Sequence, residues 1–394
     1  MNMITKNNIY KEHLDKWLKA VKENNKKEKS RIIDHICFVT AVHSKSVSRS
    51  FKRLQLRGKD AEEKRGRKKY YTPDAVAALK SVWDIAGEPC GENLHGVVSD
   101  YVRILQRDND WKHSPQATNK LLQMSLGSMK EKVGKFTRKT FIAHGKSSTK
   151  AGTIHSLIPI RSGDWDKAVC GTEQIDTVAH CGHTLIGDFI YTVNATDVPT
   201  LWGSRRAQWN KGQTATVISM EYIGADMPFP IQEWHPDSGS EFINWHCKRW
   251  CDEKKQKLTR SRPNRKNDNC FVEERNGHIV RKWIGYARLD VEAVVKALNE
   301  VYDVLTPYLN HFTASKRIIR KERVGARWKI TREKQAKTPY QRVLERIDVD
   351  EIIKEKLKKE HELLNPLKLK EEIDKKLKVV FNLQKSLGVP ITKK

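Results

Sequence analysis

Residues 173–178 read Glu173-Gln174-Ile175-Asp176-Thr177-Val178, an apolar-flanked run with a carboxylate inside it that reads as a strand. Downstream, Leu185–Val193 is apolar with aromatic content, and Leu201–Trp209 follows in the same manner. Thr214–Tyr222 has helical periodicity. Phe229–Trp234 reads as a strand running into Trp234-His235-Pro236-Asp237-Ser238-Gly239-Ser240-Glu241-Phe242, where Pro and Gly break it. Phe242–Lys255 is helical, with Trp245 and Trp250 as packing anchors, and Lys257–Ser261 is a short strand. Asn267-Asp268-Asn269-Cys270-Phe271-Val272-Glu273-Glu274-Arg275-Asn276-Gly277 reads as a helix start. The order is β-β-β-α-β-α-β-α.

Carboxylates fall on the first strand (Asp176), the fourth (Asp237) and the last helix (Glu273), with 35 residues between the last two. Two strands and a helix bring such groups to one end of a sheet, and the order describes an RNase-H-like fold. Hard carboxylate oxygens suit Mg²⁺, which keeps several waters and is held by one or two carboxylates plus substrate phosphate. Two such ions activate an attacking oxygen and stabilise a leaving one. The alternative is three unrelated surface acids.

The 394 residues exceed one ordinary domain, and 75 Lys+Arg against 48 Asp+Glu give a net charge of +27. That balance points to a polyanionic partner. No stretch has the apolar length of a transmembrane helix, and Met1–Ala20 lacks the apolar core of a signal peptide, so the chain is expected in the cytosol or on DNA, away from membranes. Seven scattered Cys fit reduced thiols; Cys247 and Cys251, four apart, read as buried small hydrophobes on a helix, as does Cys181.

The N-terminal part is helical. Residues 1–26 read as a frayed helix or arm. Ile32, Ile33, Ile36 and Cys37 form one helical stripe, Thr40–Ser44 a break, and Val47, Phe51 and Leu54 the inner face of a second helix whose outer face carries Ser44, Lys45, Ser48, Arg49 and Lys52. A helix-turn-helix needs that polar-basic second helix to enter the major groove; any helical hairpin with a solvated basic face fits too. Arg65 and Arg67 in Lys64–Lys69 suit a narrow minor groove. Thr72-Pro73-Asp74 starts a helix that opens a second helical module. The domain plan is 1–62 arm and helix-turn-helix, 63–140 second helical DNA-binding module, 141–170 linker, 171–290 catalytic core, and 291–394 a helical basic C-terminal region. That last part includes the basic run Ser315–Lys337 and one or two charged helices over 347–387, with apolar positions such as Ile352, Leu357, Leu363, Ile373 and Phe381.

The core resembles the retroviral-integrase-like DDE transposases of bacterial insertion sequences. The matches are Ile175-Asp176-Thr177-Val178, Asp237-Ser238-Gly239-Ser240-Glu241-Phe242, and Asn269 to Gly277, with the family's gap between the last two acids. Softer matches are Thr259-Arg260-Ser261-Arg262-Pro263 and Val280-Arg281 to Gly285-Tyr286. The resemblance implies an α/β RNase-H-like (integrase) catalytic domain. It implies Asp176, Asp237 and Glu273 as the metal-binding triad for two Mg²⁺ or Mn²⁺ ions. Glu274 then faces away, and Glu241 either backs the triad from behind or lies on the surface. Arg262, Arg265, Lys266 and Arg281, two turns beyond Glu273 if the helix continues, are expected to contact DNA. The implied chemistry is cleavage at a transposon end followed by strand transfer into double-stranded DNA, by a homo-oligomer holding paired ends. The alternatives are a retired transposase acting as a DNA-binding protein and an RNase-H-like nuclease.

Overall fold

The computed structural model describes residues 3–57, 70–136, 158–161, 165, 168–262, 266–324 and 326–388. The 141–170 linker falls mostly outside them. The chain forms two compact units, Met1–Tyr70 and Tyr71–Lys394.

The first unit is three helices: α1 (Met3–Lys22), α2 (Lys26–Thr40) and α3 (Ser44–Arg57). Of the frayed helix or arm read for residues 1–26, the structure has the helix, 20 residues long. Tyr10, Leu14 and Trp17 fall on one face at helical spacing and are buried. The Trp17 ring stacks on Phe51 of α3 at 5.0 Å, which explains why so charged a segment holds its shape. Asn25 caps α2 by accepting from the Glu28 N–H, and Ala41, at φ 52°, ends it. Ile32, Ile36, Val47 and Phe51 complete the core, as their spacing implies.

The second unit is built on a five-stranded sheet in the order β3-β2-β1-β4-β5. Its strands are β1 (Thr172–Ala179), β2 (Ile190–Asp197), β3 (Gly203–Trp209), β4 (Glu233–Pro236) and β5 (Lys257–Leu258). The first three pair antiparallel, while β4 runs parallel to both β1 and β5. Helices α9 (Gln213–Asp226) and α10 (Trp245–Glu253) cover one face, sharing a core with Ile175, Val193, Ala195 and Trp234. Cys247 and Cys251 are buried there, and all seven Cys are free thiols. Trp250 packs near Trp234, but Trp245, expected as a second anchor, is 53% exposed because it sits on the outer face of α10.

The opposite face and the edge strand β3 meet α13 (Ala293–Phe312). Edge backbone groups need partners. Asn299 supplies them at Ala207, donating to its carbonyl and accepting from its N–H, and Asn310 does the same at Gly203. Helices α4 (Pro73–Ile85), α5 (Gly91–His95), α6 (Val98–Arg107), α7 (Pro115–Leu122) and α8 (Leu126–Phe136) share one core with α13 and α16 (Pro366–Leu387). The described part of the segment that the sequence sets apart as a second module is thus packed into the second unit.

Beyond the sheet come α11 (Cys270–Arg275), a π-helix (Asn276–Arg281) and α12 (Lys282–Ile284). The C-terminal part has α14 (Pro339–Glu345), α15 (Glu351–Leu363) and α16, the last two matching the one or two charged helices expected over 347–387. Ile373 and Leu357 are buried, but Ile352, Leu363 and Phe381 are exposed. The wholly helical reading of this region is corrected in one place. The basic run forms an antiparallel hairpin, β6 (Ile318–Val324) and β7 (Arg327–Arg332). Ile318, Ile319, Val324, Trp328, Ile330 and Thr331 favour a pleated ribbon over a helix. Among the described residues no helix is long and apolar enough to cross a membrane.

Candidate active site

Strand pairing sets the first two acids side by side. Ile175 of β1 is the parallel register partner of Pro236 of β4, so Asp176 and Asp237 are the next residues along adjacent chains. The third acid is placed by a cap. Gln174 of β1 accepts from the N–H groups of Phe271 and Val272 at 2.9 and 3.3 Å, and donates to the Asp268 carbonyl. These contacts satisfy orphan donors at the start of α11 and fix that helix against β1. Glu273 then lines the same cleft as Asp176 and Asp237, and Glu274 does not.

The cleft holds about 310 Å³. Its acids are Asp176, Asp237, Glu241 and Glu273, and its cations are Lys211 and Arg281. Burial, and next the negative charge of Asp237, push the Asp176 carboxyl well above its ordinary range; Glu241 and Glu273 add to this, while the Thr177 N–H opposes it. Asp176 Oδ1 accepts from Thr177 N–H at 2.8 Å, and Oδ2 from Asn276 Nδ2 at 2.7 Å. Asp237 Oδ1 accepts from the Gly239 N–H. A Cβ on Gly239 would come within 2.7 Å of Glu241 and 2.8 Å of Asp237, so a side chain there would push these carboxylate ends aside.

Glu241, read from the sequence as backing the triad or lying on the surface, is 4% exposed and accepts from Thr177 Oγ1–H and Lys211 Nζ at 2.9 and 2.8 Å. Among the described residues no group of three or more His, Cys, Asp or Glu side chains stands ready as a metal-ligand cage.

The expected DNA contacts scatter. Ser44, Lys45, Arg49 and Lys52 are exposed on α3, and Ser48 is half-buried beside them. Arg65, Arg67 and Arg265 lie outside the described residues, and Lys266 opens a 3-10 turn before α11. Arg262 grips Asp268 with both Nε and Nη2, at 2.8 and 2.7 Å, bracing that turn. Arg281 lines the cleft, but the helix does not continue to it as a regular α-helix. The π-helix intervenes, and the guanidinium donates to the Ala179 and Gly285 carbonyls.

Sequence reasoning passed over Asn276, Thr177 and Lys211. Asn276 lies three residues after Glu273, a spacing that shares a helix face and was a usable signal. Lys211 and Thr177 carried none, since only the folded sheet brings them to Glu241. No protein-family model matches the chain. It is 30% identical over 304 residues to the "Uncharacterized protein y4rM" of Sinorhizobium fredii (strain NBRC 101917 / NGR234), over 76% of this chain and 85% of that protein. At that identity and coverage, the chain belongs to the same family as y4rM.

Proposed function

We propose that the protein is a DDE-type DNA transposase, an enzyme that cuts at transposon ends and joins them to target DNA. The observation that carries this reading is the meeting of Asp176, Asp237 and Glu273 in one cleft on a mixed sheet. The strand order, three antiparallel strands extended by two parallel ones, supports an RNase-H-like core. The donor chemistry fits divalent ions: every acid in the cleft offers hard oxygen, and their mutual repulsion at Asp176 is what a cation offsets. The lack of a closed cage is compatible with ions held by few carboxylates plus water and phosphate. Asp176, Asp237 and Glu273 would hold two Mg²⁺ or Mn²⁺ ions, which would supply charge stabilisation and an activated attacking oxygen.

The chain's own residues do the positioning. Gln174 fixes α11, and Lys211 holds Glu241 against Thr177. The net charge of +27 suits a DNA substrate. The exposed face of α3 supports end recognition by a helix-turn-helix, and the exposed Arg323, Arg327, Lys329 and Arg332 of the hairpin offer further phosphate contacts. Paired ends imply a homo-oligomer at work on DNA in the cell.

A strand-transfer assay tests the reading, using DNA ends flanking the gene with Mg²⁺ or Mn²⁺. Wild type should yield joined products. Glu273→Gln should keep DNA binding but lose about 10³-fold or more in joining, as expected when several kcal/mol of metal-borne stabilisation is removed. Glu274→Gln should be mild; equal loss in both variants overturns the choice of acid. Binding without cleavage would favour a retired DNA-binding protein, and cutting without joining a nuclease.

A further inference from the structure

A row of polar side chains crosses the sheet beneath Asp176. Arg205 of β3, Asn194 of β2 and Asp176 of β1 are successive register partners. Cross-strand partners in antiparallel strands share a face, so the three lie side by side. Asn276 of the π-helix closes the row from above. Arg205 Nε donates to Asn194 Oδ1 at 3.4 Å, Asn194 Nδ2 to Asn276 Oδ1 at 2.9 Å, and Asn276 Nδ2 to Asp176 Oδ2 at 2.7 Å.

The direction of this row is not arbitrary. A guanidinium can only donate and an ionised carboxylate can only accept, so both amides between them have one orientation that satisfies every bond. Each amide then presents N–H toward Asp176, with a cation at the far end. The position is expensive: Asn194 is fully buried and Arg205 is 3% exposed. Apolar residues would fill a sheet interior more cheaply. Among the described residues no carboxylate pairs directly with Arg205; its other hydrogen bond goes to Thr306 Oγ1 at 3.2 Å.

We infer that Asn276, Asn194 and Arg205 are positioning residues that hold the Asp176 carboxylate in one rotamer and set its affinity for a divalent cation. The inference rests on the proposed metal-dependent function. Asn276 occupies one oxygen of Asp176 and the Thr177 N–H the other, which leaves the remaining lone pairs to the cleft. Partners of this kind orient metal-binding carboxylates, and losing one typically costs 10–100-fold in metal affinity.

The test is Mn²⁺ binding to the full-length protein at one fixed pH, by calorimetry, with a thermal melt in metal-free buffer for each variant. Asn276→Leu, at a half-buried site, should weaken Mn²⁺ by about tenfold or more. Arg205→Met, which does not touch Asp176, should weaken it by a smaller factor. The double variant should bind Mn²⁺ as Asn276→Leu does, because Arg205 acts only through the row. A lower melting temperature with unchanged Mn²⁺ affinity in Asn276→Leu means a purely structural network and overturns the inference, as does simple addition of the two effects. Should Arg205→Met fail to fold, Asn276→Leu alone decides. Failure of the functional reading looks different: Mn²⁺ is bound and Asp237→Asn abolishes its binding, yet no DNA is cut or joined. If wild type binds no Mn²⁺, the inference falls.

Discussion

Glu173 sits in β1, three residues before Asp176, and is fully buried. Neither of its carboxylate oxygens has a hydrogen-bond partner among the described residues. Burial, and next the charge of its cross-strand partner Asp197, raise its carboxyl well above the ordinary 4.5. The sign follows from linkage. A group whose folded value is raised favours the fold fully below 4.5, and that contribution is lost as pH rises toward the folded value. Glu173→Met should therefore be more stable than wild type at pH 7.5, by about 1–3 kcal/mol for removing an unsatisfied buried group. The gap should narrow as pH falls toward 4.5, as the carboxyl becomes protonated in both states. Thermal melts of both proteins over pH 4.5–7.5 check it; a gap independent of pH would mean that packing, not charge, sets the difference.

Gly171 shows why strands end where they do. Its φ is +90°, and a Cβ there would come 2.2 Å from the Pro230 carbonyl oxygen. Its N–H donates to Asp197 Oδ1, and its carbonyl accepts from Gln232 and Glu233 N–H. One residue thus clamps the start of β1 to the end of β2 and the start of β4. Gly171→Ala faces both backbone strain and a backbone clash. The loss should be about 3 kcal/mol or more, seen as a large drop in denaturant midpoint or a failure to fold. Ser or Asn should rescue nothing, because the clash begins at Cβ. The clamp also explains a shift from the sequence reading. Phe229 and Ile231 look like strand residues because they are apolar, and both are buried, but β4 begins only at Glu233. The same holds for β2. Its apolar run begins at Leu185, yet Leu185 and Ile186 are exposed and the strand starts at Ile190. There Arg288, about a hundred positions away, donates to the carbonyls of Cys181, Thr184, Ile186 and Asp188. Local pattern carried the order of elements and the settings of Asp176, Asp237 and Glu273. It could not carry Asn194 and Arg205, whose place depends on strand register, or a turn held from a distant arginine.

The two units each have their own core, which makes their stabilities separable. The first relies on a small cluster of buried apolar side chains, with Trp17, 2% exposed, stacked on Phe51 at its centre. A single core in so short a chain rarely supplies more than about 3–5 kcal/mol. Trp→Ala in a core costs about 3–5 kcal/mol, comparable to all of it. Trp17→Ala in the full-length protein should therefore unfold the first unit while leaving the second intact. In calorimetry, one low-temperature transition should vanish and the main one should stay. On the proposed metal-dependent reading, Mn²⁺ binding at the Asp176 cleft should survive, because the residues that line the cleft run from Asp176 to Arg281, all within the second unit. On the proposed function, selective binding to transposon ends should be lost, because the exposed basic face of α3 exists only while Val47 and Phe51 are packed inward. Non-specific DNA binding should weaken less, since the hairpin arginines remain, and it should stay steeply salt-dependent. A single transition that merely moves to lower temperature would show that the units unfold as one.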